Sequence, residues 1–352
     1  MTDHNEKRIN HEPNQFITQE QTFMADKMNK FFKTLMLIIS ASVIVYFAAA
    51  LVLAFLPAPE FALDAFPGGT AVSTTEDKTI QFTMRDGESL SARQYTADST
   101  TTIVLLHGVT AESSQFNRSA EVLREAAGAT VVTLDLRGHG QSGGASGDIA
   151  YIGQYEDDVA DVITAVHADN PNGQVILAGH SMGGGIALRY ATLTDEPAVD
   201  GYLLFAPHLG ANSPTVPTVI SEDSKAFVQI HLPRIIGLAM LNNMRITALN
   251  GRETLFFNLS GVTSTYSYRA MMNASPADYV TALTAVNQPM LVVVGSNDEA
   301  FVAEQFPTAV TSYSDGAVHI VDGESHTTIV ESAAAMTVVE DWLSDTQLAT
   351  QH

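Results

Sequence analysis

The amino-acid sequence predicts an α/β protein with a mostly parallel sheet and helices on both faces, preceded by one membrane-spanning helix. From residue 79 onwards, short apolar runs bounded by glycine or turn residues alternate with amphipathic segments of helical period. This repetition is typical of a parallel sheet that helices cover on both sides. An uncharged run near the N-terminus is long enough to cross a bilayer.

The composition indicates a folded, acidic protein. Of 352 residues, 45% are hydrophobic, which is enough for a sizeable core and excludes a disordered chain. Lys and Arg together number 17 and Asp and Glu 39, so the formal charge is −22. This excess of acid argues against nucleic-acid binding, which needs a basic surface. The chain has no cysteine, which excludes disulfides, thiolate catalysis and cysteine-ligated metal sites.

The first predicted element is a transmembrane helix over residues 34–56. These residues carry no charge, and as a helix they extend about 34 Å, which is enough to cross the hydrocarbon core. Three lysines lie just before the run, and the next basic residue after it is Lys78. The positive-inside rule therefore predicts a single-pass membrane protein with a cytoplasmic N-terminus. The rest of the chain is then expected outside, in the periplasm or the extracellular space.

The segments on either side of the span are predicted to be a cytoplasmic tail over 1–33 and a linker over 57–78. The linker is rich in Pro, Gly, Ser and Thr. A signal peptide cleaved near Ala65 is the alternative interpretation of the apolar run. Signal peptides have a shorter apolar region, of about 7–15 residues, after a short basic segment. An uncleaved anchor is therefore the preferred hypothesis.

The remaining elements follow in order along the chain. Residues 79–95 predict a hairpin that turns at Asp86 and Gly87. Further apolar runs predict buried strands: TTIVLLHG, TVVTLDLRG, QVILAGHS, DGYLLFAP, MLVVVGSND and AVHIVDG. Helices are predicted over 115–127, over YEDDVADVITAVHAD with Val159, Val162, Ile163 and Val166 on one face, and over about 326–344.

One long interval interrupts the alternation of strands and helices. Residues 208–287 separate DGYLLFAP from MLVVVGSND and have helical rather than strand character. A connection of this length needs structure of its own. We therefore expect a helical cap or lid insertion over the carboxyl ends of the strands, where open parallel sheets place their ligand sites. The α/β core is then expected to comprise 79–207 and 288–352.

A nucleophilic serine is predicted at position 181. The pentapeptide Gly179-His180-Ser181-Met182-Gly183 fits the pattern G-x-S-x-G and lies between the apolar strand QVILA and a helix-forming run. In that setting the serine sits on a sharp strand-to-helix turn, where side chains at the flanking glycine positions would clash. The turn exposes the hydroxyl and places a helix N-terminus beneath it.

A serine hydroxyl needs a base, and the base needs an orienting acid. His326 is the predicted base, because it follows the last predicted strand in the loop before the last helix. Asp298 is the predicted acid, because it ends the strand MLVVVGSND; Glu299 stays open as a substitute, and Asp322 lies too close to His326. The other histidines after the serine lie in or beside the insertion, inside a strand or at the chain end: His208, His231, His319 and His352.

The oxyanion of an acyl-transfer reaction needs preorganised N–H donors. The residue after the nucleophile, Met182, is expected to supply one, and Val109, in the loop after TTIVLLHG, the other. Polar residues at two neighbouring strand ends are expected to brace loops and to take no part in the chemistry: His107, Asp135, Arg137 and His139.

The motifs LHG, DLRGHGQS, GHSMGG, GSNDE and GESH, in this order, resemble the α/β-hydrolase superfamily. The resemblance covers about 79–352. It is nearest to the serine-hydrolase branch of monoacylglycerol lipases, lysophospholipases and prolyl-type serine aminopeptidases. It implies the α/β-hydrolase fold, with no cofactor and no metal. It also implies a triad and two oxyanion donors at these positions: Ser181, Asp298, His326, Val109 and Met182.

The leading functional hypothesis is a membrane-anchored serine hydrolase that cleaves carboxylic esters, in particular lipid-like acyl esters. Its expected partners are an ester substrate and the membrane, through residues 34–56. A serine aminopeptidase is the alternative, and it would need an acidic site for the substrate amine, such as Glu299, Glu222 or Asp223. An acyltransferase or a non-catalytic hydrolase-fold binding protein are further alternatives, and the oligomeric state stays open.

Overall fold

The computed structural model describes the chain in four stretches: 14–58, 64–65, 78–218 and 227–348. Several predicted features lie outside these residues: the first part of the tail, most of the linker, Glu222, Asp223 and His352. The chain divides into two compact units. One comprises the residues up to Leu56 with Ile236–Thr247, and the other comprises Pro57–Ile235 with Ala248–His352.

The described helices, in chain order, are α1 (Asn14–Ala54), α2 (Asn117–Ala127), α3 (Gln154–Asp169), α4 (Met182–Tyr190), α5 (Leu232–Asn243), α6 (Tyr268–Asn273), α7 (Tyr279–Ala285), α8 (Phe306–Thr311) and α9 (Ala333–Thr346). The described strands are β1 (Asp64–Ala65), β2 (Lys78–Thr83), β3 (Ser89–Tyr95), β4 (Thr101–Leu106), β5 (Thr130–Leu134), β6 (Gln174–His180), β7 (Gly201–Phe205), β8 (Val228–Ile230), β9 (Glu253–Phe257), β10 (Leu259–Ser260), β11 (Thr265–Ser267), β12 (Met290–Gly295) and β13 (Ala317–Val321). Short 3-10 turns occupy Ser113–Phe116, Ala303–Gln305 and Thr328–Val330.

An eight-stranded sheet forms the centre of the second unit, in the order β13-β12-β7-β6-β4-β5-β3-β2. All strand pairs from β13 to β5 are parallel, whereas β3 pairs antiparallel with β5 and with β2. The predicted hairpin is β2–β3, and it turns where Gly87 adopts a φ of 85°. The predicted α/β fold with a mostly parallel sheet is therefore confirmed.

Helices cover the sheet through the apolar faces that their sequences predict. In α3 the predicted face is buried: Val159, Val162, Ile163 and Val166. Helix α3 contacts α4, and α2 contacts α9. Helix α2 ends at Gly128, whose φ of 57° lies in the left-handed region that glycine adopts without strain. These helices and the strands enclose a continuous apolar core.

The insertion between β7 and β12 contains more strand than its sequence predicts. Besides helices α5, α6 and α7, it holds an antiparallel sheet in the order β11-β9-β8. The interval was expected to have helical rather than strand character, and it has these strands besides its helices. Its strands are three to five residues long, and their burial is uneven, since Tyr266 is buried whereas Ile230 is exposed. Runs this short give little periodic signal in a sequence.

The first unit is built around helix α1. Its stretch Gln21–Ala54 is long and apolar enough to cross a membrane, with a mean hydropathy of 2.6 in its most apolar window. The helix begins well before the predicted span of 34–56. Near its end, Ala50 and Ala54 are fully buried. A Cβ atom on Gly237 would lie 2.5 Å from the Ala54 nitrogen, so α5 packs on α1 where both helices carry small residues.

Candidate active site

Ser181 lies between the end of β6 and the start of α4, in a backbone conformation that serine disfavours. Its φ is 52° and its ψ is −114°. A non-glycine residue in such a region costs on the order of 1–3 kcal/mol. The surrounding backbone holds it there: its N–H donates to the Phe205 carbonyl at 3.0 Å, and its carbonyl accepts the N–H groups of Gly185 and His208. The turn is therefore fixed from both the sheet and the helix.

The glycines on either side of Ser181 are required by the close approach of backbone atoms. A Cβ atom on Gly179 would overlap the carbonyl group of Gly183. A Cβ atom on Gly183 would overlap the carbonyl group of Leu106, at the end of β4. The G-x-S-x-G pattern thus allows helix α4 to begin directly against the ends of β4 and β6.

His326 and Asp298 form a hydrogen-bonded pair. Nδ1 of His326 lies 2.9 Å from Oδ2 of Asp298, and the carboxylate side chain is completely buried. The other carboxylate oxygen accepts the N–H groups of Ala300 and Phe301 at 2.9 and 2.8 Å. With these contacts the carboxylate is fixed, and a neutral imidazole donates its Nδ1 hydrogen to it. Nε2 of His326 then carries the lone pair, as a general base requires.

Glu299, the alternative acid, contacts the backbone of the same histidine and not its ring. Its Oε2 accepts the N–H of His326 at 3.0 Å. Asp322 accepts the hydroxyl of Ser296 at 3.2 Å. Of the three acids considered from the sequence, Asp298 is the one that the structure places on the imidazole.

His180 connects the serine turn to the loop of His326. Its Nε2 donates to the His326 carbonyl at 2.8 Å, and the two rings lie 4.8 Å apart. Burial, together with the nearby His326, lowers the pKa of His180 to about 3. Within the described residues, no hydrogen bond joins the Ser181 hydroxyl to the His326 ring. Such bonds are often long in a ligand-free site and shorten when substrate binds.

The loop after β4 passes directly beside the serine. A Cβ atom on Gly108 would lie 3.2 Å from the Cβ of Ser181, and Val109 follows in the chain. Met182 opens helix α4, so its N–H has no acceptor within that helix. Gly108, the residue before Val109, and Met182 thus lie next to Ser181 on two different segments.

The polar residues at the neighbouring strand ends hold loops, as their positions predict. His107 donates from Nδ1 to the Gly108 carbonyl at 2.8 Å and accepts the N–H of Leu136 at Nε2. Asp135 accepts the N–H groups of two loop residues. Arg137 forms a bidentate ion pair with Asp158, in which Nε and Nη2 donate to the two carboxylate oxygens at 2.8 and 2.6 Å.

Two aromatic residues that sequence reasoning left aside also border the site. The ring of His208 stacks on Phe301 at 5.5 Å, and Phe301 meets the ring of His326 edge-on at 5.2 Å. Burial lowers the pKa of His208 to about 4. His208 comes three residues after β7, and β7 lies next to β6 in the sheet. Its place just after a predicted strand is the signal that the sequence offers for it.

The described part of the chain holds no cluster of metal-binding side chains. Within it, no group of three or more histidine, aspartate or glutamate side chains could hold a metal ion.

The comparison with protein families decides the classification. The model of a family described as serine aminopeptidase, S33, matches residues 97–333, which is more than half of the chain. The chain belongs to the S33 family. This agrees with the resemblance to the serine-hydrolase branch of the α/β-hydrolases that the motifs indicate.

Curated relatives of this S33-family chain include enzymes named as lipases. A monoacylglycerol lipase of Mycolicibacterium smegmatis is 32% identical over 118 residues, which cover 31% of this chain and 42% of that enzyme. The match therefore spans less than half the length of the mycobacterial enzyme. An sn-1-specific diacylglycerol lipase of Xenopus laevis is 25% identical over 64% of this chain and 73% of its own length.

Solved structures show the same fold. A membrane phospholipase A, described as a bacterial virulence factor, superposes with a TM-score of 0.55 at 19% identity. The match covers 92% of this chain and all of that one. An esterase of Pyrococcus furiosus superposes with a TM-score of 0.52 at 14% identity, over 82% of this chain and 99% of that one. At these identities the likeness establishes the α/β-hydrolase fold of the S33-family chain.

The buried histidines around the site predict a loss of stability in mild acid. Burial lowers the pKa values of His107 and His208 to about 4 and that of His180 to about 3. An unfolded histidine has a pKa of about 6.5. Between pH 6.5 and about 4 the unfolded chain therefore binds protons that the folded chain excludes, so the free energy of unfolding falls as the pH falls.

Replacing His208 with Gln should remove about one proton from this linkage. The slope of the free energy of unfolding against pH should then fall by about 1.4 kcal/mol per pH unit. The measurement is urea unfolding of the full chain in detergent at several pH values from 4 to 7. Equal slopes for wild type and His208→Gln would contradict the assignment of His208 as a buried neutral group.

Proposed function

We propose that this S33-family protein is a membrane-anchored serine hydrolase that cleaves carboxylic esters, in particular lipid-like acyl esters. The observation that carries the proposal is the strained turn at Ser181 beside the hydrogen-bonded pair of Asp298 and His326. A nucleophile on such a turn, a base and a buried orienting acid are the parts that acyl transfer requires.

In the first half of the reaction, Oγ of Ser181 attacks the carbonyl carbon of the ester while Nε2 of His326 takes the hydroxyl proton. The buried Asp298 accepts a hydrogen bond from Nδ1 of His326 and stabilises the imidazolium that forms. The negative charge passes to the carbonyl oxygen. The C–O bond to the alcohol then breaks, and His326 returns the proton to the departing alkoxide, which leaves an acyl group on Ser181.

In the second half, water replaces the alcohol. His326 takes a proton from water, and the resulting hydroxide attacks the acyl carbon. A second tetrahedral oxyanion forms and collapses with release of the carboxylic acid, while the proton returns to Ser181. The Val109 and Met182 N–H groups are proposed to donate hydrogen bonds to both oxyanions, since their two segments meet at the serine.

Ester hydrolysis fits the site better than aminopeptidase activity. An aminopeptidase needs a carboxylate that is free to bind the substrate amine. Of the described acids next to the His326 ring, Asp298 is engaged by His326 and two backbone N–H groups, and one carboxylate oxygen of Glu299 accepts the His326 N–H; Glu222 and Asp223 lie outside the described residues. The names of the curated relatives, a monoacylglycerol lipase and diacylglycerol lipases among them, also support a lipid-like ester as the substrate.

Activity of acid variants tests this proposal. With p-nitrophenyl esters of graded chain length, Asp298→Asn should lower kcat roughly 10³- to 10⁴-fold. The amide oxygen would stay on the N–H groups of Ala300 and Phe301, so the amide nitrogen would face Nδ1 and favour the wrong imidazole tautomer. Glu299→Gln is the matched control. It keeps an oxygen that can accept the His326 N–H, so kcat should stay within about tenfold of the wild type.

Two results would contradict the proposal in different ways. A nearly fully active Asp298→Asn beside an inactive Glu299→Gln would show that Glu299 is the acid. Faster cleavage of alanyl or prolyl anilides than of every ester would favour the aminopeptidase alternative.

The anchor and its orientation form the second part of the proposal. The described helix α1 is long and apolar enough to span a bilayer, and three lysines precede its uncharged run, whereas the next basic residue after the run is Lys78. Translocating three lysines is costly, so we propose that residues before the span are cytoplasmic and that the catalytic unit lies outside.

Because the chain has no cysteine, single cysteines can report this topology. A membrane-impermeant maleimide should label Glu340→Cys, on the exposed side of α9, in intact spheroplasts, and should label Asn5→Cys only after lysis. The reverse pattern would contradict the orientation. A mature chain that begins near residue 66 would show that the apolar run is a cleaved signal peptide.

A further inference from the structure

Tyr266 links the inserted segment to the loop that contains Val109. It lies on β11, and its side chain is buried, with 1% exposed. Its hydroxyl oxygen lies 2.7 Å from the backbone nitrogen of Thr110 and 2.8 Å from Nε2 of His139. These partners come from the loops after β4 and β5, so one hydroxyl group joins three segments of the second unit.

The histidine determines the direction of these hydrogen bonds. Nδ1 of His139 lies 3.0 Å from the Arg137 carbonyl, which can only accept, so Nδ1 carries the ring hydrogen. Burial lowers the pKa of His139 to about 3, so the ring is neutral and Nε2 is an acceptor. Tyr266 therefore donates its hydrogen to His139 and accepts the N–H of Thr110. The hydroxyl is held in one orientation by both contacts.

Thr110 needs such a partner because its backbone is strained. Its φ is 61°, in the left-handed region that β-branched residues rarely adopt. It is the third residue of a turn in which the Ala111 N–H donates to the Gly108 carbonyl at 3.4 Å. Glycine or asparagine is usual at this position of a turn with positive φ. The contact with Tyr266 holds threonine there.

Two consecutive peptide groups around Val109 are thus fixed by side chains. The Gly108 carbonyl, which shares a rigid peptide plane with the Val109 N–H, accepts the Nδ1 hydrogen of His107 at 2.8 Å. The next peptide group, between Val109 and Thr110, is held by Tyr266. Since both planes are fixed, the direction of the Val109 N–H is fixed as well.

We propose that Tyr266 is a positioning residue of the oxyanion hole: its hydroxyl holds the Thr110 turn and thereby aims the Val109 N–H at the reacting carbonyl oxygen. The inference rests on the proposed function, which assigns Val109 as an oxyanion donor. It makes the insertion part of the catalytic apparatus, because β11 supplies the group that completes a loop of the α/β core.

The variant Tyr266→Phe tests the proposal, because it removes the hydroxyl and keeps the ring in place. Since an oxyanion donor acts in the transition state and not in substrate binding, kcat should fall about 10- to 100-fold with KM nearly unchanged. The affinity for a trifluoromethyl ketone, whose adduct with the serine carries an oxyanion, should fall by a similar factor. A purely structural role of the hydroxyl would not produce this separation of kcat from KM.

Tyr268→Phe is the matched control, because it removes the hydroxyl of another buried tyrosine two residues along the chain. It should keep kcat within about twofold. Thermal unfolding of both variants checks that they fold. An equal loss of kcat in Tyr268→Phe, or a loss in Tyr266→Phe that lies in KM alone, would overturn the inference.

The oxyanion hole can also be tested without an ester, by the rate at which a fluorophosphonate labels Ser181. The phosphoryl oxygen of the probe occupies the hole during attack by Ser181. Tyr266→Phe should be labelled at least about tenfold more slowly than the wild type. If the wild type hydrolyses esters, and Tyr266→Phe has the same kcat and labelling rate as the wild type, the role of Tyr266 is refuted while the proposed function stands. If the wild type cleaves no ester, the proposed function fails, and the labelling rates still decide the role of Tyr266.

Discussion

The turn at Ser181 is the constraint on which the rest of the site depends. Its backbone conformation is unfavourable for serine, so the turn persists only because neighbouring elements over-determine it. Phe205, at the end of β7, accepts its N–H, and its carbonyl accepts the N–H groups of Gly185, in the first turn of α4, and of His208, three residues after β7. The backbone of Ser181 thus holds the hydroxyl at the carboxyl edge of the parallel sheet.

The parallel sheet also explains how distant segments reach this hydroxyl. The ends of β4, β6, β7 and β12 meet at one edge, which places the loop of Val109, the serine, His208 and Asp298 near one another. His326 follows β13, the neighbour of β12, and its ring therefore meets Asp298. The side chains of His107, His180 and Tyr266 then hold loops at this edge through hydrogen bonds to backbone groups.

Much of this arrangement could be predicted from the sequence, because its signals are local. Each core strand is an apolar run that ends at glycine or a turn residue, and G-x-S-x-G marks a turn that needs two glycines. The small sheet of the insertion was missed, since its short strands become stable only by pairing. The role of Tyr266 was missed as well, because no local pattern marks a hydroxyl that binds a residue 156 positions away.

The formation of an acyl-enzyme at Ser181 is the most direct test of the central claim. The full-length chain in detergent is mixed with an excess of a p-nitrophenyl ester, quenched in acid within milliseconds, and mapped by peptide mass spectrometry. We expect one acyl group on the peptide that contains Ser181, formed with the burst of p-nitrophenol, and neither adduct nor burst in Ser181→Ala. An acyl group on another residue, or full turnover by Ser181→Ala, would contradict the account.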